Sequence, residues 1–148
     1  MKCKDVMVSN PRCCTIFSNA IAAAQIMHED DVGLVPVIDE MTRILIGMIT
    51  ERDLCLEVVA KGENPRELKV GECMSANPVA CHSEDDIQDT DKLMKKHQIR
   101  HIPVMDQNGR CIGLIAQADI EREIWKVQEV FVTVHNYLSG FSLTRVVS

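Results

Sequence analysis

Apolar positions along this chain fall into runs of two kinds, and the set of runs comes twice. An extended stretch from Cys14 to Phe17 follows Pro11 and leads into a segment where Ala20, Ala23, Ala24 and Met27 recur at helical spacing. Two β-branched runs come next, Val35 to Ile38 and Ile44 to Ile49, joined by a polar turn, and a closing helix is predicted after Thr50. The second half repeats the order. Val79 to His82 is extended, and Ile87, Thr90, Asp91 and Met94 occupy one helix face as a weaker apolar stripe. Ile102 to Met105 and Cys111 to Ile115 flank Asp106-Gln107-Asn108-Gly109, whose Asn-Gly pair signals a tight hairpin, and a helix opens after Ala116. Ser18 and Ser83 are placed to cap the two early helices, Ser83 with Asp86 three residues on. Each half therefore predicts β-α-β-β-α.

The residues themselves repeat in the same order. Asp5-Val6-Met7-Val8-Ser9-Asn10-Pro11 is echoed by Glu72-Cys73-Met74-Ser75-Ala76-Asn77-Pro78, and Val35-Pro36-Val37-Ile38-Asp39 by Ile102-Pro103-Val104-Met105-Asp106. After a first-copy loop longer by a single residue, Gly47-Met48-Ile49-Thr50-Glu51-Arg52-Asp53 is answered by Gly113-Leu114-Ile115-Ala116-Gln117-Ala118-Asp119. The chain is a duplication. Lys61-Gly62-Glu63-Asn64-Pro65 carries a helix-stopping Gly and a Pro between the copies. We divide the chain into repeat 1 (1–60), a linker (61–69), repeat 2 (70–125) and a C-terminal helical extension and tail (126–148). A unit this small cannot bury its own sheet, so the pair is the expected folding unit.

Beyond Asp119, Ile120, Ile124, Val127, Phe131, Val134 and Leu138 trace a heptad-like seam, with Gly140 as a stop. A long closing helix is expected, its seam buried on the body or on a second copy. The β-branched stretch Val130 to Val134 leaves a helix followed by a strand as the rival, and 141–148 is expected to fray. Leu54, Val58, Ile120 and Ile124 give the outer helices apolar residues that one copy cannot fully cover, which predicts a homodimer.

Composition narrows the function. Hydrophobic residues are 46% of the 148 but aromatics only 3%, so the core is aliphatic. The net charge of -6, with no Lys/Arg cluster, disfavours nucleic acid as a partner. No apolar run approaches the roughly 20 residues of a membrane span, and no secretory h-region follows Met1, so a cytoplasmic location is expected. The seven cysteines lack Cys-x-x-Cys spacing and read as buried, reduced thiols, with no metal site among them. His28, His82, His97 and His135 show no ligand spacing, and Met7 and Met74 read as plugs for core gaps. No Gly-x-Ser-x-Gly, His-Glu-x-x-His or P-loop is present, and nothing places a nucleophile beside a base, so no enzyme is expected.

Gly47 to Asp53, as Gly-hydrophobic-hydrophobic-Thr-x-x-Asp after the Val35-Pro36-Val37-Ile38-Asp39 strand and with its second copy, resembles the cystathionine-β-synthase (CBS) domain family over residues 1 to about 125. The resemblance implies an α/β (α+β) fold of two β-α-β-β-α repeats related by a pseudo-twofold axis, a tandem pair known as a Bateman module. It also implies a homodimer, and two inter-repeat clefts that take AMP, ADP, ATP or S-adenosylmethionine while an unidentified effector protein is controlled in trans. No cofactor is required. Carried over by position, the first cleft combines Thr50, Arg52 and Asp53 with Val79, Ile99 and His101. The second, weaker cleft combines Ala116, Ala118 and Asp119 with Arg12, Val32 and Gly33, with Arg100 near the phosphate. Ala116 departs from the family's Ser/Thr, which makes the first cleft the tighter one.

The chemistry suits those residue types. A carboxylate such as Asp53 or Asp119 matches the two adjacent hydroxyls of a ribose, and Thr50 offers a hydroxyl at a helix start, where free N–H groups favour anions. Arg52, Arg100 and His101 are local cations, and Ile99 and Val79 offer apolar surface to adenine. The plainer reading of Thr50 and Asp53 is an ordinary helix cap, compatible with a ligand role. Two further readings stand beside the sensor: a ligand-free dimeric scaffold of the same fold, and a thiol-based redox sensor using Cys13 with Cys14, or Cys14 with Cys81.

Overall fold

The computed structural model describes residues 1–139. Its elements run α1 (Cys3–Val6), β1 (Val8–Ser9), α2 (Ala20–Asp30), β2 (Leu34–Ile38), β3 (Leu45–Thr50) and α3 (Glu51–Leu54), which continues as a π-helical turn over Cys55–Val59. Repeat 2 supplies α4 (Val70–Cys73), β4 (Cys81–His82), α5 (Ile87–His97), β5 (His101–Met105), β6 (Cys111–Ala116) and α6 (Gln117–Ser139). This is the mixed α+β duplication that the sequence predicts.

Each repeat finishes the other's sheet. Val8 and Ser9 of repeat 1 pair antiparallel with Leu114 and Gly113 of β6, giving a four-stranded sheet in the order β1-β6-β5-β4. Ser75 of repeat 2 bridges antiparallel to Met48 on β3, while Cys14 bridges parallel to Val37 on β2. The β2–β3 and β5–β6 hairpins share a register irregularity at the corresponding place, Val37/Ile38 and Val104/Met105. The short helices are exchanged in the same way. Cys3 of α1 is buried with Cys81, Met94, Ile102 and Ile115, and Val70 and Cys73 of α4 with Ala23, Val35 and Ile49. Full burial of a Val or Ile side chain contributes roughly 1.5–3 kcal/mol, so each repeat draws part of its core from the other. A third apolar cluster joins Leu34 and Met48 to Leu114, with Val32 and Val79 packed against it. The inter-repeat clefts flank residues of this patch.

Met7 lies over Gly113 and Met74 over Gly47, so both methionines fill gaps above glycine. Three local expectations are corrected. Asn19, not Ser18, caps α2, its side chain accepting from Ala22 N–H at 3.1 Å, while Ser18 Oγ accepts from Thr15 N–H. Asp86, not Ser83, caps α5 by accepting from Gln88 N–H at 2.8 Å. The stretch after Pro11 shrinks to the single bridge at Cys14, and the one after Pro78 to Cys81–His82. The helix reading of the C-terminal segment holds, since α6 is continuous through Val130 to Val134. Its seam does not lie on the body: Ile120 is buried and Ile124 half-buried, but Val127, Phe131, Val134 and Leu138 are exposed. Gly140 and the tail lie outside the described residues. Among those described, no helix is long and apolar enough to cross a membrane.

Candidate functional site

The second cleft opens as a cavity of about 520 Å3. Its wall comes from both repeats: Arg12, Ile26 and Val32 from the first, His101, Leu114 and Asp119 from the second. Sheet geometry delivers them there. Gly33, just before β2, donates its N–H to Nδ1 of His101, the first residue of β5, at 3.4 Å, and so joins the two repeats here. α6 begins at the edge of β6, so its first turn sets Asp119 beside Ala116 on the cavity wall.

Arg12 does not reach into this space unengaged. Its Nε and one amino nitrogen donate to Asp30 at 2.9 and 2.8 Å, and that nitrogen also donates to Glu29 at 2.7 Å. The pair holds the Asp30 carboxyl below the usual carboxylate range and raises the guanidinium further. Asp119 Oδ1 accepts from Arg122 at 3.0 Å. His101 is half-buried, and desolvation lowers its pKa despite nearby Glu51, Asp119 and Asp31, which act in the opposite direction. Its Nδ1 accepts from Gly33, an arrangement that requires the neutral ring.

At the first cleft the sequence-predicted pair is engaged as a reciprocal cap. Asp53 N–H donates to Thr50 Oγ at 3.0 Å, and Thr50 N–H donates to the Asp53 carboxylate at 2.9 Å. This uses one carboxylate oxygen and leaves Thr50's own hydroxyl hydrogen available to an incoming acceptor. Both residues are half-buried and Arg52 is exposed. Val79 and Ile99 are half-buried against the repeat 2 core, and Val79 also against the Leu34–Met48–Leu114 patch.

The structure thus brings Arg12, Val32, Ala116 and Asp119 together as the second cleft, with Gly33 joined through its backbone. His101, assigned to the first cleft from sequence, lines the cavity of the second. Arg100 is exposed and is not part of the cavity wall. Sequence reasoning missed Asp30 and Asp31. Their signal was an acidic end to α2 where the matching α5 ends Lys95-Lys96-His97.

The cysteines group differently from the pairs expected. Cys14 belongs to the repeat 1 core and Cys81 to the repeat 2 core, so those two are not partners. Cys3 meets Cys81 and Thr90, whose hydrogen bonds lower its thiol to about 7 and leave the Cys81 thiol raised. Cys13 meets Cys111 in the same sense. Among the described residues no cluster of His, Cys, Asp and Glu is arranged to hold a metal ion.

Comparison with known proteins agrees with this architecture. The family model for the CBS domain matches residues 3–60 and again 70–126. YlbB of Bacillus subtilis is 34% identical over 119 residues, spanning 80% of this chain and 79% of that protein. Hypoxic response protein 1 of Mycobacterium tuberculosis is 31% identical over 121 residues, spanning 82% and 83%. The crystal structure of Hypoxic Response Protein I, with two coordinated zinc ions, superimposes with a TM-score of 0.73 at 31% identity, covering 82% of this chain and 98% of that one. The fold is shared with the CBS domain pair of protein MJ0100, solved with 5′-methylthioadenosine and S-adenosyl-L-methionine (TM-score 0.74, 24% identity, 85% and 97% covered). It is shared also with CBSX2, solved with AMP (TM-score 0.71, 21% identity, 86% and 98% covered). With two matched repeats, their sheets exchanged and a cleft at their junction, the chain belongs to the CBS domain family.

Proposed function

We propose that this protein is a non-catalytic sensor that binds adenosine-containing ligands between its repeats and controls an effector protein in trans. The carrying observation is the cavity of about 520 Å3, walled by both repeats and holding Asp119 beside apolar Ile26, Val32 and Leu114. A carboxylate for the ribose hydroxyls and aliphatic surface for the base are what an adenosine requires. That proteins of the same fold were crystallised with AMP, or with 5′-methylthioadenosine and S-adenosyl-L-methionine, supports the ligand class. In the first cleft, Asp53 takes the ribose and Thr50 the phosphate, with Arg52, Val79 and Ile99 around them. In the second, Asp119 takes the ribose.

Calorimetry with AMP, ATP and S-adenosylmethionine tests the reading. Asp53→Ala is expected to remove most nucleotide binding and Asp119→Ala far less, because Ala116 offers no hydroxyl. A hydrogen bond to a charged group contributes roughly 1.5–3 kcal/mol, a difference of about ten- to a hundredfold. Failure of the unmodified protein to bind any adenosine compound would leave the dimeric scaffold as the function.

A further inference from the structure

The pseudo-twofold axis makes α2 and α5 counterparts, each of 11 residues and each closed by a left-handed residue, Asp31 at φ 53° and Gln98 at φ 55°. Their ends carry opposite charge. α5 finishes Lys95-Lys96-His97, as the negative end of a helix dipole favours. α2 finishes Glu29-Asp30-Asp31, three acids placed against the dipole. Arg12 answers Glu29 and Asp30, but Asp31 has no ion pair among the described residues, and a local rule broken at a cavity wall points to function.

The consequence is electrostatic. Asp30, Asp31 and Asp119 line the second cleft, and Arg12, the only lining Arg or Lys among the described residues, is bound to Asp30 and Glu29. Glu51 stands nearby, its carboxyl group 3.7 Å from where a Cβ on Gly33 would lie. His101 is kept neutral by its burial. Arg12 and Arg122 answer Asp30 and Asp119, but Asp31, Glu29 and Glu51 leave the carboxylates in excess, so a triphosphate brought there is repelled and a neutral or positively charged 5′ group is not. By symmetry Lys96 and His97 hold in repeat 2 the place of Glu29 and Asp30.

We propose that the two clefts sort adenosine compounds by charge. The second takes those whose 5′ substituent is neutral or cationic, with Asp30, Asp31 and Asp119 as its specificity determinants. The first takes those bearing phosphate, with Thr50, Lys96 and His97. This rests on the reading of both clefts as adenosine sites.

The test is a titration of the full chain with adenosine, S-adenosylmethionine, AMP and ATP, followed by nuclear magnetic resonance. The His101 imidazole reports on the second cleft and the Thr50 amide on the first. Adenosine and S-adenosylmethionine are expected to move His101 at concentrations at least about tenfold below ATP, and ATP to move Thr50 first. The triple variant Glu29→Lys/Asp30→His/Asp31→Gln copies the end of α5 onto exposed positions of α2, where the dipole favours the change. It is expected to bring ATP to His101, and Asp31→Asn alone to do so more weakly. ATP moving His101 below adenosine in the unmodified protein, or selectivity unchanged in both variants, overturns the sorting but leaves adenosine binding intact. No response at either residue to any of the four compounds overturns both.

Discussion

Two glycines at corresponding positions have different tolerances, and the difference lies in what stands over them. A Cβ on Gly47 would meet the backbone oxygen of Ser75 at 2.7 Å and Met74 Sδ at 2.8 Å. That oxygen also accepts from Met48 N–H at 3.0 Å in the bridge that completes the first sheet, so it cannot retreat cheaply. At Gly113 the nearest atoms all belong to the Met7 side chain, Sδ first, then Cγ at 2.9 Å and Cβ at 3.0 Å, and the thioether end can turn aside as a backbone oxygen cannot. Gly47→Ala is therefore expected to lower stability by about 1–3 kcal/mol and Gly113→Ala by distinctly less, as read from urea unfolding midpoints. Equal losses would show that Met7 is as fixed as the backbone. His101 carries the pH dependence of the second cleft. Its folded pKa lies below the ordinary 6.5, so the unfolded chain takes the proton first as pH falls. The contribution of His101 is complete above about pH 6.5 and is lost as pH drops from there toward the folded value, when Nδ1 becomes a donor facing the Gly33 N–H. His101→Leu, the residue that Leu34 already places at the symmetry-related position, is expected to flatten the fall in stability that sets in as pH drops below about 6.5. The same slope in both proteins would assign the effect to another group.

At the scale of elements, what the sequence could show was whatever depends on near neighbours. The β2–β3 and β5–β6 hairpins, the helix face of Ile87, Thr90, Asp91 and Met94, and the length of α6 were all legible in periodicity. The caps were less so, because Ser18 and Asn19 both offer an acceptor oxygen, and only the folded turn decides that Thr15 N–H takes Ser18. β1 was invisible for a stronger reason. Two residues, Val8 and Ser9, carry no pattern of their own and become a strand only because β6 of the other repeat lies beside them. The candidate site divides along the same line. Thr50 and Asp53 stood out as a motif and do form a local reciprocal cap, and Asp119 follows from the duplication. Asp30, Asp31 and the true place of His101 depend on how the repeats meet, which no local spacing records.

The whole molecule is built by exchange, and the exchange extends to its longest helix. α6 begins in the wall of the second cleft at Asp119, packs Ile120 into the repeat 2 core, and then runs on past the body. A ligand that contacts Asp119 thereby touches the first turn of a helix that runs on to Ser139. Along that helix Val127 is 62% exposed, Phe131 70%, Val134 50% and Leu138 77%. Four apolar side chains in heptad register form a seam that is complementary to itself, so a second copy of the chain offers the matching surface. Apolar patches of this extent are rarely left open to water on a monomer. The protein is therefore expected to be a homodimer at tens of micromolar, joined along α6, with a light-scattering mass of two chains. Phe131→Glu/Val134→Glu places carboxylates in the seam and removes nothing from either core, so a folded monomer with unchanged far-ultraviolet circular dichroism is the expected product. A monomeric unmodified protein would remove the dimer itself. A variant still dimeric would move the interface to the outer helix that follows β3, where Leu56 and Val59 are exposed although Val58 is buried, and with it the route by which an occupied cleft could reach a partner.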